Sequence, residues 1–526
     1  MFFRGPDGAV ISRCLRRTRK EATVKERNHG MKFGQRIFNG TIVLSSGEVL
    51  ACGCSFIRNA ILARLLTKTD FGIAATFVIT VSLLEMISNI SNDRLLVQSK
   101  DGDEPSFQAT VHLFQIARGL ATAAVLFMSA YPFSWLFKVP EARWAFQLLA
   151  VIPLMNGLKH HDVHRFEREM RFGPIVLVEV IPQVMITIMA WTVARMTGNY
   201  AAVLWLLIAR SCVMLIISHA VAERPYRVAW DPRYVREMLT FGWPLLVNGV
   251  LLFGVFQGDR LIAGAGYSME DLAVYSVAAT LAVTPTFMLL KIVGAMMLPL
   301  LSRSRDHQPS FQNHYILCTR TLSLIAAIFG LWFIVAGQSF VVLVYGEKYA
   351  AAVPILGWLV AGHALRVMRA APTVAAMALG DTRNLMISNV VRCLGLFLAV
   401  ACAWGGMGLS TVAACGLVGE TLAFFAAGLR LSVHHRVSFG TSLRPAAFAV
   451  LIIGVSVILS TEQFMEGHWG RQIWAAIGLT ITALVAAGLM SPELRKLYTG
   501  VVNFGPKMFV HSRPIDAAAL MKGKPD

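Results

Sequence analysis

Apolar runs long enough to cross a membrane follow one another along nearly the whole chain. A hydrocarbon core about 30 Å thick needs about 20 apolar residues per helix. By that measure fourteen spans are expected, at 37–63, 71–91, 107–128, 144–158, 173–194, 201–222, 241–257, 272–290, 316–335, 351–379, 385–404, 408–429, 443–460 and 472–490. The 526 residues are 56% hydrophobic, with a mean hydropathy of +0.60. The polar linkers that separate soluble domains are missing, and the longest stretch without such a run is Met1 to Arg36. The expected fold class is an all-α polytopic membrane protein. No segment is large enough for a soluble catalytic domain with its own core.

Several of the runs contain arginine. Arg118 lies in Phe107–Phe137, Arg210 in Ala201–Ala222, Arg366 and Arg369 in Ala351–Leu379, and Arg392 in Leu385–Trp404. A guanidinium stays charged, and a charge deep in a bilayer costs at least about 2.5–3.5 kcal/mol. Each such residue must face water, a partner or an anionic cargo, which points to a transporter of something negative.

The net charge of +18 has another origin than nucleic acid. Lys and Arg collect in alternate loops, as the positive-inside rule requires. Ten fall in the segment to Arg36, and more in Lys159–Arg171, Arg224–Arg236, Arg303–Arg320, Arg430–Arg444 and the C-terminal tail. The loops between them (Leu66–Asp70, Gly198–Tyr200, Gly346–Tyr349, Gly405–Gly408) are short and nearly neutral. Fourteen spans with both termini in the cytoplasm put every basic loop inside. The first thirty residues lack the apolar core of a signal peptide, and recognisable pattern begins after Met31. The eight cysteines form no CxxC pair or regular framework, so neither a disulfide scaffold nor a zinc site is expected.

The chain divides into a basic cytoplasmic tail (1–36), a first transmembrane lobe (37–222), a linker (223–240), a second lobe (241–433), two extra spans (434–490) and a cytoplasmic tail (491–526). In the linker, Asp231 and Pro232 suit a helix start, and the apolar spacing over Trp230–Thr240 predicts a short amphipathic surface helix. A weak repeat supports two halves: NAILARLLTKTDFGIAATF (Asn59–Phe77) and, 201 residues later, RLIAGAGYSMEDLAVYSVA (Arg260–Ala278). Asp70 and Asp271 sit where an N-cap belongs. Transporters built from repeats place the cargo site between them.

These residues also carry a family likeness. Ala63–Gln98 (ARLLTKTDFGIAATFVITVSLLEMISNISNDRLLVQ), the segment LTFGWPLLVNGVLLFGVFQGDRLIAGAGYSMEDLAVYSVA and the segment YGEKYAAAVPILGWLVAGHALRVMRAAPTVAAMALGDTRN resemble polysaccharide flippases of the multidrug/oligosaccharidyl-lipid/polysaccharide exporter superfamily. The likeness runs from about Phe33 to about Val433. IRNAILAR (Ile57–Arg64) is similar to lipid II flippases, in which an arginine matching Arg58 is functionally important; the next residue, often acidic there, is Asn59 here. The resemblance implies two pseudo-symmetric six-helix lobes around a V-shaped cavity, with two extra helices. It implies an undecaprenyl-diphosphate-linked oligosaccharide as cargo, moved across the inner membrane by alternating access for exopolysaccharide or O-antigen-type synthesis. A polysaccharide polymerase and chain-length or export proteins are candidate partners alongside membrane lipids. A multidrug exporter on the same fold is the first alternative, and a membrane polymerase the second.

Candidate cargo-binding residues are Arg58, Arg366, Arg369, Arg118 and Arg210. Arg366 and Arg369 share a helix face; they read either as a cavity wall binding diphosphate, where guanidinium forks suit phosphate oxygens, or as an ion pair with a buried acid such as Glu420. Arg118 and Arg210 read as cargo ligands or as partners of Glu48, Glu85 and Glu179. Glu48, Glu85, Glu179 and Glu420 are the candidates for proton or ion coupling. Asp101-Gly102-Asp103 has a DxD form but reads as a solvated turn, since no nucleotide-binding domain accompanies it. His160, His161, Asp162 and His164 read better as a cytoplasmic loop than as a metal site. No P-loop, HExxH or GxSxG occurs, so a transporter without cofactor or metal is expected rather than an enzyme.

Overall fold

The structure is a computed structural model and describes residues 43–461, apart from 45 and 89–91, together with 474–484 apart from 483. The expected tails 1–36 and 491–526 and most of the last span lie outside the described residues. Every regular element among the described residues is helical. In chain order they are α1 (46–65), α2 (Lys68–Ser88), α3 (Asn92–Gln98), α4 (Pro105–Leu136), α5 (Arg143–Leu148), α6 (Val151–Gly157), α7 (Asp162–Arg168), α8 (Gly173–Thr197) and α9 (Ala201–Val221). There follow α10 (Pro232–Gly266), α11 (Met269–Arg303), α12 (Gln308–Val335), α13 (Gly337–Tyr345), α14 (Val353–Ala378), α15 (Arg383–Trp404), α16 (Leu409–His435) and α17 (Gly440–Thr461). Ten helices among the described residues are long and apolar enough to cross a membrane. Many of their bulky side chains, such as Phe127, Ile188 and Phe397, face outward, as a lipid solvent allows.

Two expected elements differ. The span at 144–158 is divided into α5 and α6 by a turn at Leu149 and Ala150. Pro153 has no N–H to offer the carbonyl of residue 149, and Ala150 bonds instead to Gln147 in a tighter turn. The linker helix is not separate: it runs unbroken into the next span as the single 35-residue α10. Its first turns bury Tyr234 and Met238 against Leu95, Leu96, Phe107 and Val111, so the amphipathic face covers α3 and α4 rather than a membrane surface. Asp231 caps α10 by accepting from the Arg233 amide at 2.9 Å.

The repeated turns carry the same chemistry, with the cap three positions earlier than expected. Thr67 and Ser268, not the aspartates, are the caps. Thr67 Oγ1 accepts from the Asp70 amide (3.0 Å), and Ser268 Oγ accepts from the Asp271 amide (3.1 Å). Asp271 returns the bond to the Ser268 amide at 3.3 Å, closing a capping box. Asp70 accepts from the Tyr200 amide instead, at 3.1 Å. Thr69 and Glu270, 201 residues apart, meet side chain to side chain at 3.4 Å. α2 thereby lies against both α10 and α11, and Gly72 abuts the Met269 backbone so closely that a Cβ there would overlap the carbonyl.

One end of the bundle carries the neutral loops and is closed by a reciprocal contact. Arg64, at the end of α1, donates from Nε to the Val344 carbonyl (2.8 Å) and from Nη2 to that of Leu343. Lys348 donates from Nζ to the carbonyls of Leu66 (2.6 Å) and Arg64 (3.1 Å). Each cation thus sits at the other segment's C-terminal carbonyls, where unsatisfied acceptors and the helix dipole favour positive charge. Phe56 against Tyr345 and Phe71 against Tyr349, both edge-on, line the same seam.

Replacing Gly72 by Val should cost about 1–3 kcal/mol or more through overpacking and lower the unfolding temperature in detergent by several degrees. Gly173→Ala, where nothing lies within 4 Å of the added atom, should leave that temperature unchanged. The two variants are compared by the same thermal scan.

Candidate functional site

Two adjoining cavities open inside the bundle and meet at Glu85. The larger, about 390 Å3, lies between α1, α2, α8 and α9 on one side and α10 and α11 on the other. Arg58, Arg210 and Arg260 line it, with Glu85 as its one carboxylate and Gln183, Asn59, Ser276 and Thr280 among its polar groups. Phe71 closes it toward the neutral end. Arg58 Nη1 donates to Gln183 Oε1 at 2.7 Å and Nη2 to Ser55 Oγ at 3.2 Å. Arg260 Nη2 donates to Thr280 Oγ1 at 3.3 Å. Arg210 Nε is buried without a hydrogen-bond partner. Among the described residues none of these three guanidiniums has an acidic partner within ion-pair distance. A cavity holding three guanidiniums without a direct ion pair, against one lining carboxylate, is poised for an anion, because charge-assisted hydrogen bonds to phosphate oxygens replace lost hydration.

The second cavity, about 260 Å3, lies at the end carrying the basic loops and is lined by Glu85, Asp93, Gln115, Arg118, Asn156, Lys159 and Glu179, with His160, His161 and His164 beside it. Arg118 donates to Gln115 Oε1 (2.7 Å) and Ser88 Oγ (3.4 Å). Asn156 donates to Glu85 Oε1 at 2.7 Å. Of the two readings of Arg118 and Arg210, pairing with glutamates takes no direct form: no ion pair joins either to Glu48, Glu85 or Glu179 among the described residues. Glu48 instead pairs with Lys291, tying α1 to α11.

Arg366 and Arg369, read from the sequence either as a cavity wall or as partners of a buried acid such as Glu420, line neither of these cavities. They are buried against Glu420 together with Arg392. Arg366 Nε and Arg392 Nε each lie 2.6 Å from Glu420 Oε1, and Arg369 Nε lies 3.4 Å from Oε2. Arg369 Nη1 also donates to Ser388 Oγ at 3.0 Å and Asn389 Oδ1 at 3.3 Å. The reason is backbone proximity. A Cβ on Gly395 would stand 2.7 Å from the Cys415 carbonyl, and one on Gly419 2.6 Å from that of Arg392. Only glycine lets α15 and α16 approach this far, and their contact sets Arg392 beside Glu420 while α14 packs on the same helix.

Arg260 was missed as a cavity residue because it stands at the edge of an apolar run. The signal lay in the repeat: Arg260 is the counterpart of Asn59, the neighbour of Arg58. Arg392 was singled out but not joined to Glu420, since only the α15–α16 contact brings them together.

Outside the spans, the histidine loop is a structural knot. His160 Nδ1 accepts from the Asp162 amide (3.1 Å), so its Nε2 donates to the Arg224 carbonyl (3.0 Å). His112 Nε2 accepts from the His161 amide (3.1 Å), so its Nδ1 donates to the Arg227 carbonyl (2.9 Å). Asp162 accepts from Arg165 Nε (2.8 Å), the Glu223 amide (2.8 Å) and the Arg224 amide (3.1 Å). Burial lowers the pKa of both His160 and His161. Burial opposes ionisation of Asp162, but these hydrogen bonds prevail and hold it at about 2. Asp103 of the DxD turn pairs with Arg168 at 3.4 Å.

Fold and site together define an all-helical, multi-pass membrane protein with a cationic internal cavity. The family model described as polysaccharide biosynthesis protein matches residues 61–354, and the chain belongs to that family. Among its relatives is the teichuronic acid biosynthesis protein TuaB of Bacillus subtilis (strain 168), 23% identical over 463 residues, or 84% of this chain and 94% of the relative. The succinoglycan biosynthesis transport protein ExoT of Rhizobium meliloti (strain 1021) is 24% identical over 312 residues, 58% of this chain and 62% of that protein. The structure of the lipid II flippase MurJ in an inward closed conformation matches with a TM-score of 0.69 at 13% identity, covering 86% of this chain and 100% of that one. An inward-facing multidrug resistance MATE family transporter matches at 0.58 and 13% identity, covering 73% and 95%. The fold is thus the one these transporters share.

Two predictions follow from the charges. Glu420→Ala should destabilise the protein by about 3–5 kcal/mol, since it strands buried guanidiniums; thermal unfolding in detergent measures this, and Glu420→Asp should recover part of the loss. The histidines' lowered pKa means that the stability they contribute is complete above about pH 6.5, their ordinary value, and declines as pH falls below it. That of Asp162 persists until pH falls below about 4, its unfolded range, and is lost toward its folded value. Hydrogen exchange in 222–231, corrected for its intrinsic pH dependence, should therefore quicken between pH 7 and pH 5 while the Asp162 bonds still hold.

Proposed function

We propose that this chain is a flippase that carries a polyprenyl-diphosphate-linked oligosaccharide across the bacterial inner membrane for surface polysaccharide synthesis. The observation that carries this reading is the cavity of Arg58, Arg210 and Arg260, three guanidiniums of which two are held by neutral partners and none is ion-paired among the described residues. A dianionic diphosphate matches that charge. Family membership and the printed roles of TuaB and ExoT support a polysaccharide precursor as cargo. A multidrug exporter of cationic compounds is disfavoured, since the cavity would repel them.

In this reading the chain has two lobes related by the turns at Thr67 and Ser268, fourteen spans in all, and the basic loops and both termini in the cytoplasm. The cargo enters between lobes with its polyprenyl tail left in lipid. Arg58, Arg210 and Arg260 replace the hydration of the diphosphate. Opening toward the periplasm requires Arg64 and Lys348 to leave the carbonyls that they hold across the neutral end. The lobes then exchange access by rocking. The membrane potential, inside negative, favours outward movement of anions by about 2.3 kcal/mol per charge per 100 mV. Of the glutamates considered for ion coupling, Glu85 is the one that faces both cavities. Arg118 stands in the second chamber, while Arg366 and Arg369 serve with Arg392 to fix α14, α15 and α16 around Glu420.

In a strain lacking the chain, Arg58→Ala with Arg210→Ala should cut polymer export at least tenfold and cause lipid-linked repeat units to accumulate, while the protein still reaches the membrane. Arg→Lys at either position should recover part of the activity, because charge returns without the bidentate fork. Undiminished export by the double Ala variant would remove the proposed role of this cavity.

A further inference from the structure

The two cavities differ in chemistry although they share Glu85. The arginine cavity holds three cations against one carboxylate. The cavity at the basic end presents three carboxylates, Glu85, Asp93 and Glu179, against two cations, Arg118 and Lys159. Its other polar side chains include the amides of Gln115 and Asn156, the hydroxyls of Ser88, Thr122 and Ser218, and the imidazoles of His160, His161 and His164. Among the described residues Asp93 and Glu179 make no direct hydrogen bond or ion pair, and both act through space on Lys159.

A diphosphate entering this chamber would meet three acids and is better placed among the arginines. A saccharide has the opposite preference. Its hydroxyls donate to carboxylates in short, charge-assisted bonds, and amide and hydroxyl side chains serve both its donors and its acceptors. An amine-bearing sugar gains further from Asp93 and Glu179, whereas a uronate meets more acid than base.

We infer that the chamber lined by Asp93, Gln115, Asn156 and Glu179 is the saccharide subsite, which receives an uncharged or amine-bearing repeat unit while the diphosphate lies beyond Glu85 among Arg58, Arg210 and Arg260. This rests on the flippase reading above and adds to it an orientation of the cargo and the residues that set its sugar preference. Asp93 and Glu179 act here as specificity determinants. A site that hydrogen-bonds sugar hydroxyls discriminates against a cargo lacking them, because its polar groups would be left unpaired.

The test is binding of three probes to the full-length protein in nanodiscs: bare undecaprenyl diphosphate, the same carrier bearing a neutral or amino-sugar disaccharide, and the carrier bearing a uronate-containing disaccharide. Wild type should bind the neutral or amino-sugar probe tightest. Asp93→Asn with Glu179→Gln should weaken that probe about tenfold more than the bare carrier and narrow its advantage over the uronate probe. Arg58→Ala with Arg210→Ala should weaken all three probes alike. Equal weakening of the bare and glycosylated carriers by the carboxylate variants, or no weakening of either, overturns the subsite. An arginine variant that binds bare carrier as well as wild type does overturns the underlying reading instead. Bare-carrier affinity checks that the carboxylate variant is folded, and thermal unfolding in detergent checks the arginine variant.

Discussion

A guanidinium within a bilayer must find a counterpart, and the structure answers that demand in two ways. In α14, α15 and α16 three arginines converge on the single carboxylate of Glu420. On the wall of the larger cavity, the guanidiniums of Arg58, Arg210 and Arg260 receive only neutral acceptors or none among the described residues. The first arrangement is buried and packs helices together. The second borders a cavity and leaves positive charge uncompensated. The distinction follows from pairing and place: guanidiniums bound to Glu420, outside the two cavities described above, organise the helices, whereas an unpaired cation on the wall of the arginine cavity also acts on whatever enters.

The remaining architecture places these groups. The capped turns at Thr67 and Ser268 meet through Thr69 and Glu270, holding α2 against α10 and α11 and so forming one wall of the arginine cavity. Arg64 and Lys348 close its neutral end through carbonyl acceptors alone. Bonds of this kind to backbone carbonyls are modest in net worth, about 0.5–1.5 kcal/mol, rising to about 1.5–3 when the donor is charged. Four such bonds and two aromatic contacts make a seam that is firm yet able to exchange, which suits a protein proposed to alternate between states. At the other end the neutral histidines and Asp162 bind the segment before α10 to α4 and α7.

Much of this was legible in the sequence, for identifiable reasons. Length and hydropathy revealed the multi-pass helical class, with ten membrane-length helices among the described residues, because the bilayer sets one dimension for all of them. They misjudged 144–158, where Pro153 interrupts hydrogen bonding without interrupting apolarity, and α10, where amphipathic and apolar segments share one continuous helix. The acidic residues of the repeated turns were noticed, but a helix cap is decided by backbone geometry, and the hydroxyls three positions earlier fill that role. Arg58 and Arg210 stood out as charges in apolar surroundings. Whether Arg366 and Arg369 faced a cavity or an acid depended on a contact between α15 and α16 that Gly395 and Gly419 permit, and no spacing within one helix reports it. Arg260 needed the repeat to be read residue by residue, against Asn59.

The central claim is that unpaired cavity arginines carry a diphosphate-linked saccharide from one leaflet to the other. It is tested most directly by reconstituting the purified chain in liposomes loaded with undecaprenyl-diphosphate-linked repeat unit and following exposure of the sugar to an added impermeant saccharide-modifying reagent. Wild type should render the inner-leaflet pool accessible within the assay, and the variant with Ala at Arg58, Arg210 and Arg260 should leave it protected. Equal exposure by wild type and this variant, or protection by both with folded protein present, would contradict the account.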